Sequence, residues 1–396
     1  MKIAICHLSL TTESGDPRMV FLMARELMRE GHQIAIYTAE FDALHAYPNL
    51  NHGLDIRVVP PSRPLTSVRS ASSLLVKIFQ RLASVGLYNE TVRRMFLSMD
   101  KDFEILICEN DYTYSLGKWY KSQRPQTKTI WIMNNPPFFH SQKANMFVEL
   151  LSLMANSFER RRAMHYAAGI DRIVVYDESN KEVVNVLGRP IKIIANPVDL
   201  DRFYAPVKGG IDPAKPIQLL SVGALTPQRR FEDTIAAAAQ LRNKGYDARA
   251  LIICKDFYRN VVYREKFEKF IRDSGIADHV TALFEGAPDD RYLAAMHDSQ
   301  VFVHPNDVKI WGVGAFEAMA AGLPLIVSRI TAVAGVLRDG ENALFVDVRS
   351  PAQIATRVDD LIQDRALFKK IATAGQEYVQ DSMSLPHFIR EVMTEL

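Results

Sequence analysis

Short apolar runs, too brief to be helices, alternate along this chain with amphipathic stretches of helical period, and the alternation comes in two successive series. The first series is KIAICH (2–7), HQIAIYT (32–38), LDIRVV (54–59), EILICE (104–109) and TIWIMN (129–134). The second is IQLLSVG (217–223), ALIICK (250–255), VTALFE (280–285), QVFVHP (300–305), PLIVS (324–328) and ALFVDV (343–348). Strands without a polar face belong in parallel sheets covered on both sides by helices. A stretch such as MVFLMARELMREG (19–31) supplies such a helix, with Gly31 as its stop signal. The expected fold is therefore α/β, with two doubly wound domains in tandem, and 396 residues suffice for two full cores. The boundary is expected in VDLDRFYAPVKGGIDPAKP (198–216), a stretch rich in proline and glycine with no sustained period. This sets domains at 1–197 and 198–380. The remainder, 381–396, ends in a short amphipathic helix expected to pack back towards the first domain.

Lys and Arg number 48 against 46 Asp and Glu, a net charge of +2 that does not suit a protein coating nucleic acid. Cys6, Cys108 and Cys254 are too far apart for a zinc knuckle or a CxxC pair, and each lies in an apolar run. They read as buried thiols in a reducing compartment. The first apolar stretch is too short for a signal peptide and is interrupted by His7, and no run is long enough to span a membrane. The expected location is the cytoplasm, free or at a membrane surface. Residues 57–101 bear on that choice, since eight Lys and Arg there face only Glu90 and Asp100. Leu74, Leu75, Ile78, Phe79 and Leu82 follow helical spacing within it. Two readings stand: a helix resting on an anionic membrane, or a covering helix with a solvated basic face.

The first strand runs into HLSLTTESGDPRM (7–19), with Gly15 as its only glycine, so the GxGxxG turn of a dinucleotide site is missing. No P-loop occurs either. Hydride transfer and P-loop chemistry are both disfavoured on that ground. The stretch KIWGVGAFEAMAAGLPLIVS (309–328) says more. Gly312, Val313 and Gly314 precede a helix expected over 316–321, and open N–H groups at a helix start form an anion site suited to a diphosphate. Glu317 follows on the first turn, where it can accept hydrogen bonds from ribose hydroxyls or stand solvated. In SVGALTPQRRFEDTIAAAAQL (221–241), Gly223 ends a strand and Arg229 and Arg230 stand at the mouth of the next helix. Guanidinium groups there suit phosphate oxygens. The alternative is a solvated pair bridged to Glu232 and Asp233.

Together with NPVDLDRF (196–203), DGENALFV (339–346) and the helix ending in Gly31-His32, these segments resemble the retaining glycosyltransferases of family 4. The resemblance covers nearly the whole chain. It implies the GT-B fold, two Rossmann-like domains with an interdomain cleft, the donor on the second and the acceptor on the first. It implies transfer of a sugar from a UDP- or GDP-sugar to a hydroxyl of a glycan, lipid-linked or small-molecule acceptor, without metal or cofactor. Glu317 matches the second Glu of the family's Glu-x7-Glu pattern, Gly312 to Gly314 the diphosphate turn, and Arg229 a Lys that contacts the diphosphate. Gly15 matches a glycine of the first domain that faces the donor phosphates.

Several positions depart from the pattern. Lys309 stands for the first Glu, Ala224 for an Arg, Asn134 for a His, Gly335 for a Glu and Pro197 for a Gly. Arg230 and Lys309 are expected to rebuild positive charge at the donor, so Lys309 joins Arg229 and Glu317 as a catalytic candidate. The acceptor candidates are Asp111, Asn134 and His140, at the carboxyl ends of strands. A non-catalytic scaffold and a nucleotide-sugar 2-epimerase are the alternative readings. Asp199 and Asp201 form a DxD, read as part of the interdomain segment rather than a metal site. The basic cluster of Arg160, Arg161 and Arg162 is read as a solvated helix face.

Overall fold

The computed structural model describes residues 1–12, 15–63, 65, 74–109, 112–133, 146–256 and 260–394, with side chains left out of account at 74–83, 146–155 and 179. The chain forms two compact units, Met1–Ala195 with Ile389–Leu396, and Asn196–Phe388. The first unit thus ends at Ala195 rather than at 197, and takes back Ile389–Leu396 rather than all of 381–396.

In the first unit the strands are β1 (Lys2–Cys6), β2 (Ser9–Leu10), β3 (Gln33–Thr38), β4 (Glu40–Phe41), β5 (Ile56–Val58), β6 (Ile105–Glu109), β7 (Lys128–Met133), β8 (Arg172–Val175) and β9 (Ile191–Ile193). Seven of them make one parallel sheet in the order β5-β3-β1-β6-β7-β8-β9, and β2 pairs with β4 apart from it. β6 is buried along its whole length, as its unbroken apolar run requires. The helix Gly15–Arg29 begins earlier than the run of methionines suggested. Pro17 sits in its first turn, where a missing N–H costs no bond, and Asp16 and Arg29 complement its dipole at either end. β8 and β9 were not among the strands read from sequence.

The second unit holds β10 (Ile217–Ala224), β11 (Ala248–Lys255), β12 (Val280–Leu283), β13 (Val301–His304), β14 (Leu325–Ser328) and β15 (Leu344–Val346). These form a six-stranded parallel sheet in the order β12-β11-β10-β13-β14-β15. Each unit has its own core, with Tyr37, Phe103 and Trp131 fully buried in the first and Phe231, Phe267 and Phe368 in the second.

Each sheet grows outward from its first strand in both directions. The strand order therefore reverses between β1 and β6 in one and between β10 and β13 in the other. At such a reversal the connections leave on opposite faces, and a crevice opens at the carboxyl ends of the two strands. These two places are where ligands are expected.

One sequence reading changes here. Arg162 is not on a solvated face: it is 8% exposed, donates from Nη1 to Tyr114 Oη at 3.1 Å, and lies 4.6 Å from the centre of the Tyr112 ring. Arg160 and Arg161 do stay exposed. Asp199 is a helix cap, accepting from the Arg202 N–H at the start of Leu200–Phe203. All of Cys6, Cys108 and Cys254 are buried free thiols. Among the described residues no helix is long and apolar enough to cross a membrane.

Candidate functional site

The site assembles at the reversal between β10 and β13. β10 ends in Gly223 and Ala224, and the chain turns through Pro227–Arg229 into the helix Phe231–Asn243. The Arg229 side chain folds back over the strand end: a Cβ on Gly223 would lie 3.0 Å from its Nε and 3.2 Å from its Cδ. Glycine at 223 is what lets the guanidinium lie there. A backbone bond from the Asp307 N–H to the Gln228 carbonyl, 3.1 Å, ties this turn to the loop that follows β13. Arg349 clamps the Asp307 carboxylate at 2.8 and 3.1 Å.

β13 ends in His304, a residue the sequence reading did not single out. Its ring is 3% exposed and sits 3.0 Å from the Asn306 amide. Burial, and secondly the charge of Arg229, lower its pKa to about 3. The imidazole beside Arg229 is therefore neutral at neutral pH. The same ring presses on the glycine turn: a Cβ on Gly312 would come within 2.4 Å of His304 Cε1. Gly312 thus buys a close approach between loop and strand that no other residue permits. The available signal for His304 was its place, the last residue of a strand at the carboxyl edge of the sheet.

Gly312 also begins the helix Val313–Ala320, three residues before the expected 316, and no side chain caps it. Val313 and Gly314 form its first turn, so backbone N–H groups and the positive end of the dipole are open to an anion. Gly314 packs near Val222 of β10 and near the Tyr292 hydroxyl, at 3.7 and 3.5 Å from its would-be Cβ. That hydroxyl, on the helix Asp289–Asp298, donates to Glu317 Oε2 at 2.6 Å. A charge-assisted bond of this length orients the carboxylate. Two further polar groups lack partners among the described residues: Trp311 Nε1, next to the turn, and Ser328 Oγ, at the end of β14.

Gly223, Arg229, Gly312, Val313, Gly314 and Glu317 are accordingly drawn into one neighbourhood, with His304 and Tyr292 added. Arg230 is differently engaged. Its guanidinium binds the buried Asp233 carboxylate at 2.6 and 3.2 Å, which realises the ion-pair reading for this residue. Lys309 is exposed and makes no ion pair among the described residues. Gly15 opens a helix of the other unit. Asp111, Asn134 and His140 lie outside the described residues.

An uncapped helix start, an arginine and an oriented carboxylate have the chemistry to take a diphosphate and ribose hydroxyls. Residues 208–378 match the family of group 1 glycosyl transferases, a span that contains all of the second unit's site. A Methanocaldococcus jannaschii protein described as an uncharacterized glycosyltransferase is 23% identical over 393 residues, covering 94% of this chain and 91% of its own. A GDP-mannose-dependent phosphatidylinositol monomannoside mannosyltransferase of Mycobacterium tuberculosis is 30% identical over 196 residues, 46% of this chain and 49% of that enzyme. In fold, the chain is similar to Anabaena HepE, solved in complex with UDP and glucose, at a TM-score of 0.70 and 14% identity, covering 99% of this chain and 98% of that one. The fold is that of the GT-B glycosyltransferases. It is the second unit that matches the group 1 glycosyl transferases.

Proposed function

We propose that the protein moves a sugar from a nucleotide-sugar donor to a hydroxyl acceptor with retention of configuration and without a metal ion. The observation that carries this is the meeting of Arg229 with the uncapped turn at 312–314, held together by a neutral His304. Negative charge gathers on the leaving diphosphate as the glycosidic bond breaks, and these preorganised donors stabilise it there. Glu317, aimed by Tyr292, takes the ribose hydroxyls. HepE was solved with UDP and the mannosyltransferase relative is named for GDP-mannose; the group shared by both nucleotides is the diphosphate that this site suits. Lys309, exposed beside the turn, reaches towards the donor phosphates. Asp111, Asn134 and His140 receive the acceptor. The basic stretch 57–101 holds the enzyme to the cytoplasmic face of a membrane.

The test is release of nucleoside diphosphate from a panel of UDP- and GDP-sugars, with and without hydroxyl acceptors. Arg229→Ala should lower turnover about 10²–10³-fold, the usual cost of a preorganised donor to a developing charge. Glu317→Ala should weaken nucleoside-diphosphate binding by roughly ten- to a hundredfold in calorimetry. No release by the wild type with any donor and acceptor, or Arg229→Ala turning over normally, defeats the proposal.

A further inference from the structure

The second unit opens with NPVDLDRF (196–203), and this segment leans on the helix that carries Tyr292. Arg202 pairs with Asp289, in the first turn of that helix. The Phe203 ring, fully buried, meets the Tyr292 ring edge to face, with 6.1 Å between centres. The Arg202 guanidinium lies 4.5 Å from the centre of the Phe203 ring and 5.8 Å from that of Tyr292. Further along the helix, His297 Nε2 lies 3.3 Å from the Phe203 carbonyl oxygen. An ion pair, an aromatic edge and a ring nitrogen thus tie the helix at successive turns to two adjacent residues, Arg202 and Phe203.

Tyr292 is set in place by these contacts, and its hydroxyl stands between the two parts of the site. It donates to Glu317 Oε2 at 2.6 Å, and a Cβ on Gly314 would stand 3.5 Å from it. A glutamate side chain loses several torsions when it takes a ligand. A phenol locked by packing fixes the carboxylate before the ligand arrives, so less freedom is lost on binding. What the phenol fixes is the carboxylate alone. The N–H groups of the turn at 312–314 are aimed by the helix Val313–Ala320, whatever the phenol does. Loss of the hydroxyl should therefore be felt by a group that binds Glu317 and not by a diphosphate on the turn.

We propose that Tyr292, anchored by Arg202, is a positioning residue that makes the site select for the ribose of its nucleotide, acting through Glu317. This rests on the assignment of Glu317 to the donor ribose made above. Calorimetry on the full chain compares UDP and GDP with their 2′,3′-dideoxy analogues and with inorganic diphosphate. The wild type should favour each ribonucleotide about tenfold or more over its dideoxy analogue. Tyr292→Phe keeps the ring and drops the hydroxyl, and should cut that preference to roughly threefold or less. Its affinity for the dideoxy analogues and for inorganic diphosphate should stay at the wild-type value. Arg202→Met, which removes the ion pair, should cut the preference in the same direction by a smaller factor. In a Glu317→Ala background, Tyr292→Phe should change nothing further. In turnover, the loss should fall on the donor KM rather than on kcat. The inference is overturned if Tyr292→Phe weakens ribonucleotide and dideoxy analogue alike, the mark of a merely structural role. It is overturned equally if either variant keeps the wild-type preference, or if the effect of Tyr292→Phe persists without Glu317. Failure of the underlying reading looks different: a wild type that does not tell UDP from its dideoxy analogue takes Glu317 off the ribose, and one that binds neither UDP nor GDP defeats the transferase reading itself.

Discussion

Between pH 7 and pH 4 the ring of His304 should decide how much acid the second unit tolerates. Its pKa in the fold is about 3, against an ordinary value near 6.5, so over that interval the unfolded chain binds a proton that the folded one refuses. More protons on the unfolded side means that stability falls as pH drops from about 6.5 towards about 3, by roughly 1.4 kcal/mol for each unit of depression. His304→Gln should flatten the acid limb of stability, read from urea midpoints at a series of pH values. His7, depressed to about 4, contributes with the same sign in the first unit, so the matching His7→Gln variant reports that unit separately. An unchanged acid limb in His304→Gln would mean that the buried ring is protonated in the fold, and Arg229 would then face a second cation.

Arg230 shows what an element end demands of one residue. It stands in the left-handed region, φ 53°, as the residue before the helix Phe231–Asn243, and its guanidinium closes on Asp233, whose side chain is 5% exposed. Arg230→Ala should cost about 2–3 kcal/mol, near the low end for breaking a buried pair because Arg230 itself is partly exposed. Arg230→Gly loses the same pair but sheds the backbone strain, and should be about 1 kcal/mol more stable than the alanine variant. Because Asp233 already holds it, Arg230→Ala should also weaken nucleoside-diphosphate binding less than Arg229→Ala does; calorimetry on both variants checks this. The sequence made the strands and the Gly312–Glu317 segment legible because their signals are local. An apolar run, a glycine pair and a Glu one turn on can be read without knowing the fold. His304 and Tyr292 could not be read in that way. One earns its role from a ring pressed against a loop several residues later, the other from a hydroxyl reaching across from another helix.

At the scale of the whole molecule, one architecture occurs twice with different side chains at its reversal. At the β10–β13 reversal stand an arginine and an open helix start. At the β1–β6 reversal stands the buried carboxyl of Glu109, its pKa pushed up by burial. The kinetic consequence concerns the product. A nucleoside diphosphate leaving the reaction fits the first of these places. It should therefore inhibit competitively against the donor, and raising the acceptor concentration should not relieve the inhibition. Initial-rate measurements with UDP and GDP as added products would show this as lines that converge on the rate axis for one substrate and not for the other.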